Sequence, residues 1–322
     1  MLRPASFVWR GSPRHSLAGI VPALLGLLAG VCAAQDTRAP SEEGCEPGVT
    51  FCVETERVVL HVTVVDRQDR FVTDLAKESF VVSEDDRRQE LTYFAQEDVP
   101  VSIGLVIDNS GSMREKRRDV NAAALEFVKA SNPQDEVFVV NFDDEAYLDQ
   151  DFTSSLDRLQ DALQRIDTRG GTALYDATSI SLDHLVAKGK KEYIKRALLI
   201  ITDGEDTSSR MDLEILVRKL QASDVTIYGI GLLSDEERRA ARRAERHLKQ
   251  LTAPTGGPAY FLDSYEEVEP VVKRIAADIR NQYILEYNRP QGGPAGYRRI
   301  RIELKGGAKS NSVRYRPGYY AD

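Results

Sequence analysis

The sequence predicts an α/β chain: a mostly parallel sheet covered by helices on both faces, with a small β-sandwich formed by the segments that flank it. Three observations carry this. Runs that are almost wholly apolar recur at 101–107, 137–142, 197–201 and 225–230. Segments of helical spacing separate them, near 114–130, 155–166, 173–188, 213–220, 235–250 and 265–279. Strands without polar alternation are buried on both faces, as in a parallel sheet with crossover helices. The flanks behave differently and alternate with the period of a half-buried strand.

In the first flank, residues 53–97, Val58, Leu60, Val62 and Val64 share one face. The β-rich runs 80–83 and 91–94 lie either side of the polar turn 84–87 and predict a hairpin. In the second flank, 282–322, Tyr283, Leu285 and Tyr287 alternate, as do Ile300, Ile302 and Leu304. Gly306 and Gly307 turn the chain back toward Val313 and Tyr315. About forty residues make a poor core alone. The two flanks are therefore expected to pair into one sandwich, with the α/β region 98–281 inserted in it.

The amino terminus reads as an export signal. Arg3, Arg10 and Arg14 precede an apolar run at 17–31, and the small residues Cys32, Ala33 and Ala34 follow. That is the layout of a signal peptide over 1–34. The run is too short and Gly-rich for a confident membrane span, so membrane attachment is expected only through an uncleaved anchor. Residues 35–52 form a leader or linker rich in Pro, Glu, Gly and Ser. Within it Cys45 and Cys52 either pair as a disulfide or remain two thiols. An exported protein is periplasmic, cell-surface or secreted.

The chain of 322 residues carries 43 Lys and Arg against 51 Asp and Glu, a formal charge of −8. That balance argues against a general nucleic-acid binder. A hydrophobic content of 42% supplies a sizeable core.

The residues that carry chemistry lie where apolar strands end. Run 101–107 is followed by Asp108, Asn109, Ser110, Gly111 and Ser112, placing one carboxylate and two hydroxyls in a tight loop. Gly111 is expected to allow the turn that brings the two serines to one side. A second loop offers Gly170, Gly171 and Thr172, and a third offers Asp203 after the run 197–201. Ligands in open parallel sheets sit at the carboxyl ends of strands. The donors Asp108, Ser110, Ser112, Thr172 and Asp203 are all hard oxygens, which suit Mg²⁺, Mn²⁺ or Ca²⁺. Two carboxylates balance the ion's charge, and neutral hydroxyls leave it electrophilic toward a partner's Asp or Glu.

This pattern resembles the von Willebrand factor type A domain, whose metal-ion-dependent adhesion site has the form Asp-x-Ser-x-Ser, a distant Thr and a later Thr-Asp-Gly. Asp108, Ser110 and Ser112 match the first element, Thr172 the second and Asp203 the third. The resemblance covers roughly 98–281. It implies a Rossmann-like, doubly wound fold and divalent-metal-dependent protein binding. In the family the first three residues would touch the metal, and Thr172 and Asp203 would do so directly or through water. In the flanks, the run from Phe80 to Arg87, the strand at Gln282 and Tyr283, and Tyr297 with Arg298 are similar to the pattern of a bacterial group, the acidobacterial-type exported proteins related to von Willebrand A domains. Asp86 and Arg87 stand where such hairpins commonly carry Asp-Gly, which leaves the turn type open.

Other charged groups have simpler readings. Glu205 and Asp206 are solvated loop acids or second-layer groups around the ion. Asp143, Asp144 and Glu145 are a solvated loop, or a second cation site. The arginines between 236 and 249 interleave with Glu236, Glu237 and Glu245 and favour ion pairs within the helix. His61, His184 and His247 neighbour no nucleophile motif, and no catalytic residue is assigned. The expected function is an exported, non-enzymatic interaction module with Mg²⁺ (or Mn²⁺ or Ca²⁺). The alternatives are a metal-dependent hydrolase or phosphotransferase, or a structural envelope component whose metal only stabilises it.

Overall fold

The computed structural model describes residues 8–9, 57–164, 168–191, 195–233, 237–289 and 295–321. The leader 35–52, with Cys45 and Cys52, and the signal-peptide reading of 1–34 fall outside these, apart from the two-residue strand β1 (Val8–Trp9).

The larger sheet has the order β1-β8-β7-β6-β9-β10-β11. Its centre is β6 (Val101–Asp108), flanked in parallel by β7 (Glu136–Phe142) and β9 (Lys195–Thr202), with β10 (Thr226–Gly231) and β11 (Ala259–Phe261) continuing outward. Strand β8 (Ala146–Thr153) runs antiparallel to β7, and β1 lies parallel on its outer side. Loss of residues 1–34 would remove β1 and leave β8 as the edge.

Helices cover both faces because the central strands carry apolar residues on both sides. Ile103, Leu105 and Ile107 pack with α1 (Arg117–Ala130), α2 (Leu156–Gln164) and α6 (Val268–Arg280), through Val120, Phe127, Leu159, Val272 and Ile275. Val106, Val140 and Ile200 pack on the other face with α3 (Leu174–Lys188), α4 (Leu213–Gln221) and α5 (Arg238–Thr252), through Leu182, Leu216 and Leu248. The predicted doubly wound α/β arrangement is the one observed.

The flanks form two four-stranded antiparallel sheets. One has β14 (Ser312–Arg314), β2 (Arg57–Val65), β12 (Tyr283–Asn288) and β5 (Leu91–Ala95) in that order. The other has β15 (Gly318–Ala321), β13 (Gly296–Leu304), β3 (Phe80–Glu84) and β4 (Arg87–Gln89). Their inner faces share one core, with Leu60, Val62, Phe80, Val82, Tyr283, Leu285, Ile300 and Ile302. Phe80 and Tyr283 meet across it with ring centroids 5.0 Å apart. The chain enters the α/β part from β5 and leaves it into β12, and these two strands are hydrogen-bonded neighbours.

Two local readings are corrected. The runs 80–83 and 91–94 do not pair with each other. β3 turns into the short β4, and β5 crosses to the opposite sheet to pair with β12. The turn needs no glycine: Asp85 and Asp86 take φ of 46° and 63°, the left-handed pair that a two-residue hairpin requires. Asp85 offsets that strain by accepting the Arg299 N–H at 3.0 Å and an Arg298 N–H at 2.9 Å. The chain after Gly306 and Gly307 does turn back, and the Tyr315 hydroxyl accepts the Ile302 N–H of β13 at 2.9 Å, but β14 forms no ladder with β13. The chain crosses so that β14 pairs with β2, and β15, unforeseen in the sequence, pairs with β13.

Candidate metal centre

The sheet reverses its winding at β6: the chain steps to β7 on one side and later to β9 on the other. The crevice at the carboxyl ends of β6 and β9 is therefore the switch point where ligands of such sheets collect. Ile107 is in register with Ile201, so Asp108 and the Thr202–Asp203 pair leave adjacent strands side by side.

Asp108 is fully buried and Asp203 equally so, while Ser110 is 2% exposed and Thr172 6%. Ser112 alone of the five is exposed. Asp108 Oδ1 accepts the Ser110 N–H at 2.8 Å, and its Oδ2 accepts the Thr202 hydroxyl at 2.6 Å. Ser110 Oγ lies 3.1 Å from Ser112 Oγ, which donates to Asp203 Oδ1 at 2.9 Å. Four of the predicted donors thus form one continuous cluster.

Thr172 stands one step away. Among the described residues no hydrogen bond joins its hydroxyl to the other four. Its loop is nevertheless tied to theirs by backbone bonds, Gly111 N–H to Gly170 O at 3.3 Å and Arg169 N–H to Asn109 O at 3.0 Å. Thr172 is itself held by Thr207, whose hydroxyl accepts the Thr172 N–H at 3.0 Å. The glycine that the geometry demands is Gly170 rather than Gly111. Gly170 has φ of 69° and a Cβ there would meet Asp144 Oδ2 at 2.3 Å, whereas a Cβ on Gly111 would meet nothing closer than 3.7 Å.

Burial, then the nearby Asp203 carboxylate, raise the Asp108 carboxyl to about 6, against the Thr202 and Ser110 bonds that lower it. Two buried carboxylates held close together favour a cation. One is present in the chain itself: the Lys116 ammonium lies 2.7 Å from Asp203 Oδ2, with its side chain 5% exposed. Arg117 Nη1 donates to the Asp108 backbone oxygen at 3.2 Å, and burial lowers its guanidinium to about 10.

Lys116, Arg117 and Thr202 were not singled out in the sequence. Lys116 and Arg117 lie in a charged run, 114–119, that reads as a solvated helix start, and nothing in its spacing marks it as buried. The acidic loop has a different role from those expected. Asp144 Oδ1 accepts the Gly171 N–H at 2.8 Å and the Ser208 hydroxyl at 3.0 Å, clamping the Thr172 loop. Glu205 turns away from the cluster to make two bonds with Arg243, at 2.7 and 2.8 Å, so that arginine pairs outside its own helix. Asp206 accepts the Tyr175 N–H at 3.1 Å and the Ser209 hydroxyl at 2.5 Å.

The donor chemistry fits a hard divalent cation. Asp108, Ser110, Ser112 and Asp203 would hold it, with Thr172 adjacent. Each carboxylate or hydroxyl oxygen keeps a lone pair beyond the bond described. Among the described residues no cluster of three or more His, Cys, Asp or Glu side chains could hold a metal. A site here must therefore rely on hydroxyls beside its two carboxylates.

Residues 103–205, which include all five positions, match the family model of the von Willebrand factor type A domain. The fold is similar to a von Willebrand factor type A protein from Catenulispora acidiphila, with a TM-score of 0.50, 12% identity, 82% of this chain covered and 73% of that one. It is also similar to the von Willebrand factor domain of a type V pili tip protein from Porphyromonas gingivalis (TM-score 0.48, 14% identity, 56% of this chain and 95% of that one). A third is an aerotolerance-related membrane protein from Bacteroides fragilis (TM-score 0.47, 18% identity, 56% and 98%). No curated protein matches the chain. Among the described residues no helix is long and apolar enough to cross a membrane.

Proposed function

We propose that the α/β part is a non-enzymatic interaction module that binds a partner protein through a divalent cation, Mg²⁺ or alternatively Mn²⁺ or Ca²⁺. The observation that carries this reading is the hydrogen-bonded run of residues from Asp108, through the Ser110 N–H and the Ser110 and Ser112 hydroxyls, to Asp203 at the switch point of the sheet. The bound ion would supply an electrophile for an Asp or Glu carboxylate of the partner. The chain's residues do the rest. Asp108 and Asp203 provide charge, the serines provide neutral donors, and Ser112 marks the exposed edge by which a partner approaches. The basic, apolar and small-residue order of 1–34 supports export to the periplasm, cell surface or medium.

The hydrolase or phosphotransferase reading is weaker. The two carboxylates of the cluster, Asp108 and Asp203, are the ones that would hold the ion, which leaves neither as a base for an attacking water. Partner capture from native envelopes by the unaltered protein, with and without chelator, tests the proposal against capture by Asp108→Ala. The proposal expects the same partner to be lost on chelation and on substitution. A partner retained under both conditions would assign the interaction to the sandwich and make the metal, at most, structural. Metal-dependent turnover of phosphate or ester substrates that disappears in Asp108→Ala would favour the enzyme.

A further inference from the structure

We infer that Lys116 is a tethered cation of the metal centre: its ammonium holds Asp203 while the divalent ion is absent and must withdraw when the ion binds. The inference rests on the metal-site reading above and adds to it a control on loading that the five oxygen donors do not contain.

The geometry is specific. Lys116 immediately precedes α1, with backbone in the right-handed helical region, so its side chain is anchored at the root of a helix. It reaches past the turn 111–114 to place Nζ 2.7 Å from Asp203 Oδ2. The pair is sealed from water, with side-chain exposures of 5% and 0%. Asp203 Oδ1 is already taken by Ser112 at 2.9 Å. Both oxygens of this carboxylate are thus engaged by the chain's own donors, one of them fully charged.

The charge count makes the ammonium more than a packing detail. Asp108 and Asp203 supply two negative charges and Lys116 sets one positive charge against Asp203, while the charge of Arg117 is shared between Asp108 and Asp149. A divalent cation arriving with Lys116 in place would meet an Asp203 carboxylate already neutralised and a like charge at contact range. With Lys116 withdrawn, the surrounding is negative and Asp203 is free to ligate. Arg117 does not compete in the same way, because it bonds the Asp108 backbone oxygen and Asn141 rather than a carboxylate. A buried ammonium without its carboxylate is costly, so Lys116 must reach solvent or another acceptor when displaced. Exposed Ser112, which shares the Asp203 carboxylate with Lys116, marks the nearest solvent.

The test compares Mg²⁺ titration of the unaltered protein, Lys116→Met and Asp108→Ala by calorimetry, with thermal unfolding of each in chelator and in Mg²⁺. The inference expects Lys116→Met to bind Mg²⁺ at least tenfold more tightly than the unaltered protein, and to melt lower in chelator but recover in Mg²⁺. Metal binding by Lys116→Met alone supports it equally. Equal or weaker affinity in Lys116→Met, beside clear binding by the unaltered protein, overturns the inference and leaves the metal site standing. No binding by either protein overturns both. Should Lys116→Met fail to fold, the unaltered protein labelled with ¹⁵N-lysine provides the readout. The protected Lys116 ammonium signal is expected to disappear or shift as Mg²⁺ is added, and its persistence unchanged at saturation would contradict the inference.

Discussion

The Thr63 hydroxyl on β2 donates to the Asp278 carboxylate on α6 across 2.6 Å, joining the sandwich to the last helix of the α/β part. Arg314, on β14, closes the same group by pairing with Asp278 Oδ2. Asp278 is 1% exposed, and burial raises its carboxyl although Arg314 and Thr63 both favour the charged form. Arg314→Met would leave that charge buried without its paired guanidinium, held by the hydroxyls of Thr63 and Tyr228 and the more distant charge of Arg274. The expected loss is roughly 3 kcal/mol, at the lower end for such pairs because the guanidinium is partly exposed. Adding Asp278→Asn should restore part of it. Denaturant unfolding of the two single variants and the double variant measures the coupling; simple additivity would show the pair to be unimportant.

A second prediction concerns pH. Lys195, at the start of β9, is 2% exposed and donates to Ile279 O at 3.0 Å. Burial lowers its ammonium to about 8, although Asp98, Asp135 and Asp278 act to raise it. The folded chain therefore releases this proton through pH 8, while an unfolded lysine keeps it to about 10.4. Between those values the unfolded state binds more protons, so stability contributed by this group rises with pH, by at most about 1.4 kcal/mol per unit. Melting temperature of the unaltered protein should gain on that of Lys195→Met between pH 8 and 10. Parallel curves across that window would refute the assignment.

The third prediction separates loop anchoring from folding. Asp144 holds the Gly171 N–H and the Ser208 hydroxyl beside Thr172. Asp144→Ala should cost about 1 kcal/mol of stability, the usual scale for lost exposed hydrogen bonds. It should weaken Mg²⁺ binding several-fold, because Thr172 loses its support. Affinity unchanged within error would mean that Thr172 has no part in holding the ion.

The sequence made the parallel sheet legible because apolar runs such as 101–107 and 197–201 have only one economical burial, between two helix layers. It was less informative about β8. Ala146, Leu148 and their neighbours alternate with Asp149 and Asp151, and an acidic strand next to an acidic loop has no apolar run to reveal it. The pairing of β3 with β4 was hidden for another reason. Nothing local records that the chain changes sheets at Glu90, since the partner of β5 is β12, almost two hundred residues later. At the candidate metal centre the oxygen donors were readable because hard donors at strand ends are a chemical pattern. Lys116 was not, since a lysine in a charged run reveals burial only when the fold places Asp203 in front of it.

The measurement that bears most directly on the central claim is calorimetric titration of Mg²⁺ into the unaltered protein and into Asp108→Ala, with circular dichroism to verify that the variant is folded. The account predicts saturable uptake of one ion by the unaltered protein and none by the variant. Equal uptake by both, or none by the unaltered protein, would contradict it.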